Sequence, residues 1–400
     1  MTICGNSVSY KPSTYFRFMR EVSKAIVPDI REMVVACRDL VNGNLGRDVS
    51  ATFKRRCSGH RPKLRPFIAA VCSGASGGAN LETHIRRVGA AVELINISTY
   101  YANLAFDGKG NREDKSDTTT LCLAAMLLRD SVFASLAKRG LGNASTTTQV
   151  IATLSKGYLD VSKGQFLDIH KLSGFDGRVL PTPDYHLQIY IERCALLGGG
   201  SLMAVCLAGG LVGGMDTELL VKMALYGWWH GTALQVINDI ADFAPVFAAG
   251  KSIGKTDTDR YADLRACKLT LPNYHLCKDV CDGTCNFRKM NDFVLHELPV
   301  SKQRQLLHMR IFEESLLLAA EADTLAAESI CALPLGIGQI LYASLIVSKE
   351  NRFFDQLQCY VEETVPTVAA RERIRKVLSA CSPDRIPSDD GFLGMDSLIG

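Results

Sequence analysis

Apolar residues recur every three or four positions along most of this chain. Such spacing is typical of one buried face of an α-helix. It runs through six segments, 85–106, 121–137, 148–168, 186–208, 218–247 and 309–350. Alternating patterns typical of strands, bounded by hairpin residues, are absent. The sequence therefore predicts an all-α protein.

Breaks in this pattern indicate how the chain is organised. Proline and glycine separate the helical segments, at Gly140–Gly142, Gly174–Pro183 and Ala249–Gly254. No internal repeat and no linker interrupts the chain before about residue 355. We expect one helical domain over 55–355, a helical extension over 1–54 and a tail over 356–400. The prolines and paired acids after Ser382 suggest that the tail is loosely held.

The longest apolar run, Cys194–Met215, contains seven glycines and no charged residue. Its length alone would allow a membrane span. Its glycine density and its lack of flanking aromatic residues favour instead a buried helix that packs closely against its neighbours. We therefore expect no stable membrane span.

Asp239 and Asp242 lie three residues apart, with Asn238 beside them, inside the apolar segment 218–247. A helix places residues i and i+3 on one face. Burying two carboxylates without partners is costly, and a hard divalent cation, Mg²⁺ above all, would offset that cost. The alternative interpretation is that these acids lie at a solvated helix end. The apolar residues on both sides of them disfavour it. The pattern predicts a Mg²⁺ site.

Composition narrows the class of protein. The chain has 400 residues, 47% of them hydrophobic, and a net charge of +3, which suits a globular protein with a sizeable core. No block of like charges is present, so nucleic-acid binding is not expected. Fourteen scattered cysteines and an N-terminus without the basic-then-apolar order of a secretory signal indicate reduced thiols in the cytoplasm.

Other polar residues are spread along the same chain in a suggestive order. Arg61, Lys63 and Arg65 precede an apolar segment, Gly164–Asp168 brings an amide and a carboxylate together, and Lys268 follows later. Arginine binds phosphate oxygens bidentately, lysine acts as a point charge, and metal ions bridge the remaining oxygens. A cavity with these groups would suit a ligand carrying a diphosphate.

Five motifs in this order resemble those of the trans-isoprenyl diphosphate synthases and the related class I terpene synthases. They are Lys63–Pro66, Ala90–Asp107, Gly164–Asp168, Gln235–Asp242 and Lys268–Pro272. The resemblance covers about residues 55–355. It implies an isoprenoid-synthase-type bundle of roughly a dozen helices around a deep cavity, usually paired as a homodimer, with Mg²⁺ and a prenyl diphosphate as ligands.

The resemblance also implies residue roles. Catalytic residues would be Gln165, Asp168, Asn238, Asp239 and Asp242. Metal ligands would be Asp107, Asn238, Asp239 and Asp242. The substrate would be bound by Lys63, Arg65, Ser98, Thr99, Arg112, Arg193, Gln235 and Lys268. Ser98 and Thr99 are small residues where the family places the bulk that closes the tail pocket, so a tail of about 15–20 carbons is expected.

Departures from the family pattern leave two hypotheses. The family's first Asp-Asp-x-x-Asp motif reads Asn103–Asp107 and keeps Asp107 alone, while its basic-motif lysine falls on Pro62 and the first aspartate of its second motif falls on Asn238. Each lost contact could cost on the order of 2–4 kcal/mol of transition-state stabilisation. The first hypothesis is that the chain is a prenyltransferase or terpene synthase with an altered Mg²⁺ site that ionises an allylic diphosphate. Alternatively, it is the non-catalytic, regulatory subunit of a heteromeric prenyl diphosphate synthase.

Cys277, Cys281 and Cys285 lie four apart, with His275 nearby. A zinc site is possible, but Asp282-Gly283 interrupts any helix that would stack the three thiols, so we favour free cysteines. The surrounding insertion, 273–308, is expected to cap the cavity mouth or to contact a partner.

Overall fold

The chain folds as a bundle of helices in a computed structural model that describes residues 12–37, 47–59, 62–78, 81–106, 117–243, 261–281, 283–297, 306, 309–350 and 368–383. Within these ranges it forms sixteen α-helices: α1 (Pro12–Ala25), α2 (Val27–Met33), α3 (Arg47–Cys57), α4 (Leu64–Cys72), α5 (Thr83–Phe106), α6 (Thr118–Arg139), α7 (Ala144–Lys171), α8 (Pro183–Cys194), α9 (Gly200–Val212), α10 (Thr217–Ile240), α11 (Ala262–Arg265), α12 (Leu271–Val280), α13 (Phe287–Asp292), α14 (Glu313–Ile330), α15 (Leu335–Glu350) and α16 (Val368–Ala380). These residues form isolated β-bridges but no strand. The predicted all-α class is confirmed.

Side-chain caps and glycines set the helix ends where the sequence predicted breaks. The carboxylate of Asp117 accepts a hydrogen bond from Thr120 N at the start of α6, and Asn143 caps α7 in the same way. Between these helices Gly140 and Gly142 have φ angles of +70° and +93°, which favour glycine because it lacks a Cβ. The break predicted at Gly140–Gly142 is therefore confirmed.

Helix α10 lies at the centre of the bundle. It packs mainly against α14 and α9, and α9 in turn packs against α7 and α4. The aromatic side chains of Tyr226, Trp228 and Trp229 are buried along its length. Because α10 ends at Ile240, the acidic segment of the chain lies at the last turn of the most enclosed helix.

The apolar run Cys194–Met215 forms part of this core. A π turn, Ala195–Gly199, joins α8 to α9 and brings their backbone very close to α10. A Cβ on Gly198 would lie 2.0 Å from the carbonyl oxygen of Gly231. The buried, closely packed helix predicted for this run is confirmed, although the π turn is not visible in the hydrophobic pattern.

Two stretches are long and apolar enough to cross a membrane by length and composition alone, among the residues described. They are Thr118–Arg139 and Pro183–Val212. In the most apolar window of each stretch, 33% of the first and 67% of the second is buried inside the protein. The second is the core run just described. A mostly buried core helix passes the same test as a membrane span, so this finding is weak evidence for membrane insertion.

The C-terminal part differs from the loosely held tail that we expected. Helix α16 packs on α14 and buries Ile374 and Leu378. The indole nitrogen of Trp228 donates to the carbonyl oxygen of Cys381 at 3.0 Å. Two buried positions four apart make too short an apolar pattern to stand out in a sequence. The expectation was therefore wrong for α16.

Candidate functional site

Two buried acids and two buried cations form a closed network where α7, α8 and α10 meet. Arg193 donates from Nε to Asp168 Oδ1 at 2.9 Å and from Nη1 to Asp239 Oδ2 at 2.5 Å. Lys268 donates from Nζ to Asp168 Oδ2 at 2.6 Å. All four side chains are buried. The pairs connect residues up to 100 positions apart in the chain.

Two neutral side chains complete the hydrogen bonding of Asp239. The hydroxyl of Tyr190 donates to its Oδ2 at 2.8 Å, and the amide nitrogen of Gln235 donates to its Oδ1 at 3.2 Å. Burial raises the pKa of the Asp239 carboxyl, and Arg193 opposes that shift. Burial would lower the pKa of Arg193, but Asp239 and Asp168 more than offset this and hold it well above its ordinary value. The guanidinium therefore stays charged at any physiological pH.

Every carboxylate oxygen of Asp168 and Asp239 thus accepts at least one hydrogen bond from inside the protein. The two negative charges face two positive charges, so the network is close to neutral. Removing one member of such a buried set is costly because its partner stays buried and uncompensated. The network is a rigid part of the bundle.

Close backbone contacts position this network. Gly164, one turn before Asp168, lies against the π turn, and a Cβ there would lie 2.9 Å from the backbone nitrogen of Leu197. The contact brings α7 within reach of Arg193 on the preceding turn of α8. The side-chain nitrogen of Gln165 is buried and lacks a hydrogen-bond partner among the described residues. Gln165 therefore adds an unpartnered hydrogen-bond donor to this wall.

Asn238 and Asp242 lie in different surroundings from Asp239. Asn238 is exposed. Asp242 lies beyond the end of α10, and its two oxygens accept from Ala262 N at 2.9 Å and Asp263 N at 3.0 Å. It therefore caps α11. Asp239 thus lies in the last turn of α10, whereas Asp242 lies in the 3₁₀ turn that follows Ile240.

The described residues contain no preformed cluster of metal ligands. None of their histidine, cysteine, aspartate and glutamate side chains come together in a group of three that could hold a metal. Asp168 and Asp239 are already neutralised by Arg193 and Lys268. The expected ligand Asp107 and the expected substrate residue Arg112 lie outside the described residues.

A second cluster of basic residues lines a cavity of about 280 Å³ between α3, α4 and α5. Its charged or amide side chains are those of Arg55, Arg56, Lys63, Arg65, Glu93 and Asn96. The ammonium of Lys63 is buried and lies 2.8 Å from Glu93 Oε1. Its charge is therefore paired within the protein, and the substrate contact expected of Lys63 stays a prediction. Arg65 also lines the cavity, and its Nε donates to Ser201 Oγ at 3.3 Å.

Sequence reasoning missed several residues of these two clusters. Arg55 and Arg56 were overlooked because they precede the family's basic motif, although the run Lys54-Arg55-Arg56 ends a short helix directly before it. Tyr190 carries no sequence signal, since a buried tyrosine is usually only core. Glu93 could have been found, because it is a carboxylate within an otherwise apolar segment of a helix.

The two expected tail-pocket residues face different ways. Ser98 is fully buried, and its hydroxyl donates to the carbonyl oxygen of Ala125 on α6 at 2.8 Å. Thr99 lines a narrow slot of about 20 Å³ between α5, α7 and α9, with Arg65 at the same slot. We therefore correct the assignment of Ser98. A long tail would need this slot to widen.

The cysteines of the predicted insertion lie together in the structure. Cys277, Cys281 and Cys285 are buried, and their thiols interact with one another. The Nε2 atom of His275 is hydrogen-bonded to Glu314 Oε2 at 2.9 Å. No group of three metal-ligating side chains occurs within the described part of the chain.

The buried side chain of His186 should make the stability of the folded protein depend on pH. Its Nε2 donates to the carbonyl oxygen of Leu269 at 2.7 Å, and burial lowers its pKa from 6.5 to about 4. Between these values the unfolded chain binds more protons than the folded one, so stability falls as the pH falls from 6.5 to 4. We expect a loss of about 2–3 kcal/mol over this window. Urea titrations of wild type and His186→Gln at several pH values will measure it. The variant keeps a donor for Leu269 and should show a smaller slope, and equal slopes would contradict the prediction.

Comparison with known proteins agrees with this fold. The sequence model of the family described as polyprenyl synthetase matches residues 113–289. Geranylgeranyl diphosphate synthase of Mycobacterium tuberculosis is 28% identical over 217 residues, which are 53% of this chain and 56% of that protein. Octaprenyl diphosphate synthase of Escherichia coli is 25% identical over 222 residues, 54% of this chain and 62% of that protein. The chain thus spans less than two thirds of either relative.

Solved structures share the fold. Polyprenyl synthase from Caulobacter crescentus, complexed with calcium and isoprenyl diphosphate, superimposes with a TM-score of 0.58 at 17% identity. The match covers 82% of this chain and 98% of that structure. The all-α bundle of this chain therefore has the fold of the isoprenyl synthases. The chain is thus similar to the trans-isoprenyl diphosphate synthases, in sequence over part of its length and in fold. The family match begins at residue 113, after the segment in which the first acidic motif is degenerate.

Proposed function

We propose that this chain binds a prenyl diphosphate and does not ionise it alone, and that it serves as the non-catalytic subunit of a heteromeric prenyl diphosphate synthase. The closed network of Asp168, Arg193, Asp239 and Lys268 carries this proposal. Ionisation of an allylic diphosphate needs positive charge placed on the leaving group. Here the two cations of the wall are committed to its two acids.

Binding of a prenyl diphosphate is supported by polar side chains that lie outside the closed network. The buried amide nitrogen of Gln165 has no partner among the described residues. Arg65 lies beside both the basic cavity and the apolar slot that contains Thr99. A diphosphate head with an apolar tail matches this pairing of charge and apolar surface. We propose a tail of about 15–20 carbons, which would widen the slot on binding.

Pairing with a related subunit is supported by the surface of α6. Leu123, Met126 and Leu127 are exposed large apolar side chains at positions i, i+3 and i+4 of this helix, so they share one face. Exposed apolar stripes mark contact surfaces in many proteins. We propose that a second copy or an active synthase of the family covers this face in the cytoplasm.

The second candidate function is a Mg²⁺-dependent prenyltransferase or terpene synthase. The exposure of Asn238 favours it, because an amide oxygen at the end of α10 remains accessible to a cation. The resemblance also places Asp107 on the opposite wall. This function requires diphosphate release by the chain alone.

A paired measurement separates the two functions. Calorimetry with geranyl, farnesyl and geranylgeranyl thiolodiphosphates, which resist ionisation, should show binding that tightens with tail length. A diphosphate-release assay with the natural substrates and Mg²⁺ should show no turnover by the purified chain. Co-expression with a catalytic synthase from the same source should give a complex with altered activity. Mg²⁺-dependent release by the chain alone, abolished in Asp239→Ala, would overturn the non-catalytic role.

A further inference from the structure

Three buried thiols lie together at the end of α12, apart from the two clusters of the candidate site. Cys277 is in the last turn of α12, Cys281 is its C-cap residue, and Cys285 follows four residues later. All three side chains are buried and carry free thiols. Cys281 donates a hydrogen bond to the thiol of Cys277, and Cys277 donates one to the thiol of Cys285. The central thiol therefore contacts both of the others.

The backbone on both sides of the turn holds Cys277 and Cys285 together. The amide of Cys281 donates to the carbonyl oxygen of Cys277 at 2.8 Å, where α12 ends. Gly283 then has a φ angle of +77°, which glycine adopts without strain and which turns the chain back. The amide of Cys285 donates to the carbonyl oxygen of Arg178, in the loop between α7 and α8, at 2.7 Å. The contact between the two thiols is thus fixed by regular backbone hydrogen bonds.

The hydrogen bond between these thiols favours the reactive form of one of them. The bond donated by Cys277 lowers the pKa of the Cys285 thiol below its ordinary value, although burial opposes this shift. A thiolate is the form that attacks peroxides, and redox-active cysteines often have a second thiol beside them. Gly283 and Thr284, directly before Cys285, are exposed. Opening of this exposed turn would let a small oxidant reach the pair.

We propose that Cys277 and Cys285 are a modification site, a pair of thiols that hydrogen peroxide converts reversibly into a disulfide. The Cys285 thiolate attacks one peroxide oxygen, the O–O bond breaks, and Cys285 becomes a sulfenic acid. The hydroxide that leaves combines with the proton that Cys285 had released. The sulfur of Cys277 then attacks the sulfur of Cys285, and the hydroxyl group leaves with the proton of Cys277 as a second water. The two thiols lose two electrons, which the peroxide gains.

The disulfide would join α12 to the segment that pairs with the loop between α7 and α8. Helix α12 begins shortly after Lys268, and Ser173, in the same loop, forms an isolated bridge with Lys268. Lys268 donates to Asp168 in the closed network. Oxidation would therefore fix this loop beside the network. The assignment itself does not depend on the proposed function, because it concerns the chemistry of the thiols alone.

Peptide mapping of the full chain tests the proposal. The reduced protein is treated with hydrogen peroxide, its remaining thiols are alkylated in denaturant, and the chain is digested with trypsin. Trypsin cleaves after lysine and arginine, so it puts Cys277 in the peptide 269–278 and the other two thiols in the peptide 279–288. We expect peroxide to cross-link these peptides, fragmentation to locate the bond between Cys277 and Cys285, and dithiothreitol to separate them.

Variants identify the partners and control for general oxidation. We expect Cys277→Ser and Cys285→Ser to abolish the cross-link and Cys281→Ser to retain it. The exposed thiol of Cys331 serves as the reference. Cys331→Ser should leave the cross-link unchanged, and the pair should oxidise about tenfold faster than Cys331 in the wild-type chain.

Two results would overturn the assignment. One is that peroxide oxidises Cys331 while all three thiols of the cluster stay open to alkylation. The other is a cross-link that persists in Cys285→Ser and disappears in Cys281→Ser, since the bond would then join Cys277 to Cys281. Fragmentation of the wild-type cross-linked peptides distinguishes these two bonds without any substitution, so the test holds even if a variant does not fold.

Discussion

Replacing Arg193 with methionine is expected to lower the free energy of unfolding by about 3–5 kcal/mol. The guanidinium is the only group that contacts both Asp168 and Asp239 among the described ion pairs. Without it, Asp239 keeps Tyr190 and Gln235 but loses its cation, and Asp168 keeps Lys268 alone. Chemical denaturation of the variant and of wild type, under identical conditions, measures the loss.

A compensating variant tests the reason for that loss. Combining Arg193→Met with Asp239→Asn removes one charge of each sign, and the amide oxygen introduced by the second substitution could still accept from Tyr190. We expect this double variant to recover a large part of the lost stability, because the penalty comes from an uncompensated buried charge. A double variant no more stable than Arg193→Met would show that packing of the long arginine side chain, and not its charge, matters. A loss below about 1 kcal/mol for the single variant would show that the network is hydrated, as an exposed pair is.

Gly198→Ala is expected to cost about 3 kcal/mol or more, which is the upper end for overpacking in a core. The new methyl group would lie 2.0 Å from the carbonyl oxygen of Gly231 and 3.0 Å from the Cβ of Gln235. The first of these atoms belongs to a helix backbone and cannot turn aside. Relief would require α10 to move away from the π turn, and α10 also carries Asp239. The variant should therefore lose ligand binding together with stability.

A matched glycine provides the control for this prediction. Gly336 lies in the first turn of α15, and a Cβ there would meet no atom within 4 Å. Gly336→Ala should therefore leave stability unchanged or raise it by about 0.5–1 kcal/mol, because alanine restricts the unfolded chain. Comparison of the two melting temperatures separates a steric effect from a general effect of adding a methyl group. Similar values for both variants would contradict the close backbone contact at Gly198.

The helical architecture could be predicted from the sequence because its signals are local. A spacing of three to four residues and a cap such as Asp117 each depend on neighbouring positions only. The closed network could not be predicted, because it joins Asp168 to Lys268 across 100 positions. Arg193 was identified as a binding residue from its place in a motif. Whether its charge faces a ligand or two internal acids depends on tertiary structure.

Local rules also failed where a helix ended or rotated unexpectedly. The spacing of Asp239 and Asp242 predicted that both lie on one helix, but α10 ends between them and Asp242 caps the next helix. Ser98 and Thr99 are adjacent and equally small, yet one faces α6 and the other the slot. Adjacent residues of a helix differ by about 100° in direction. An uncertainty of one residue in alignment is therefore enough to exchange a core residue for a pocket residue.

The π turn at Ala195–Gly199 restricts insertions and deletions in this part of the chain. A π turn holds an extra residue within an otherwise regular helix. Deleting one residue here would let α8 run straight into α9, but it would rotate everything after the deletion by about 100° relative to Arg193. Gly200 would then no longer face Asp160, and Gly209 would no longer meet the backbone of Ala69. The number of residues between Arg193 and Gly209 is thus fixed by packing at both ends, and sequence alignments of this segment should admit no gap.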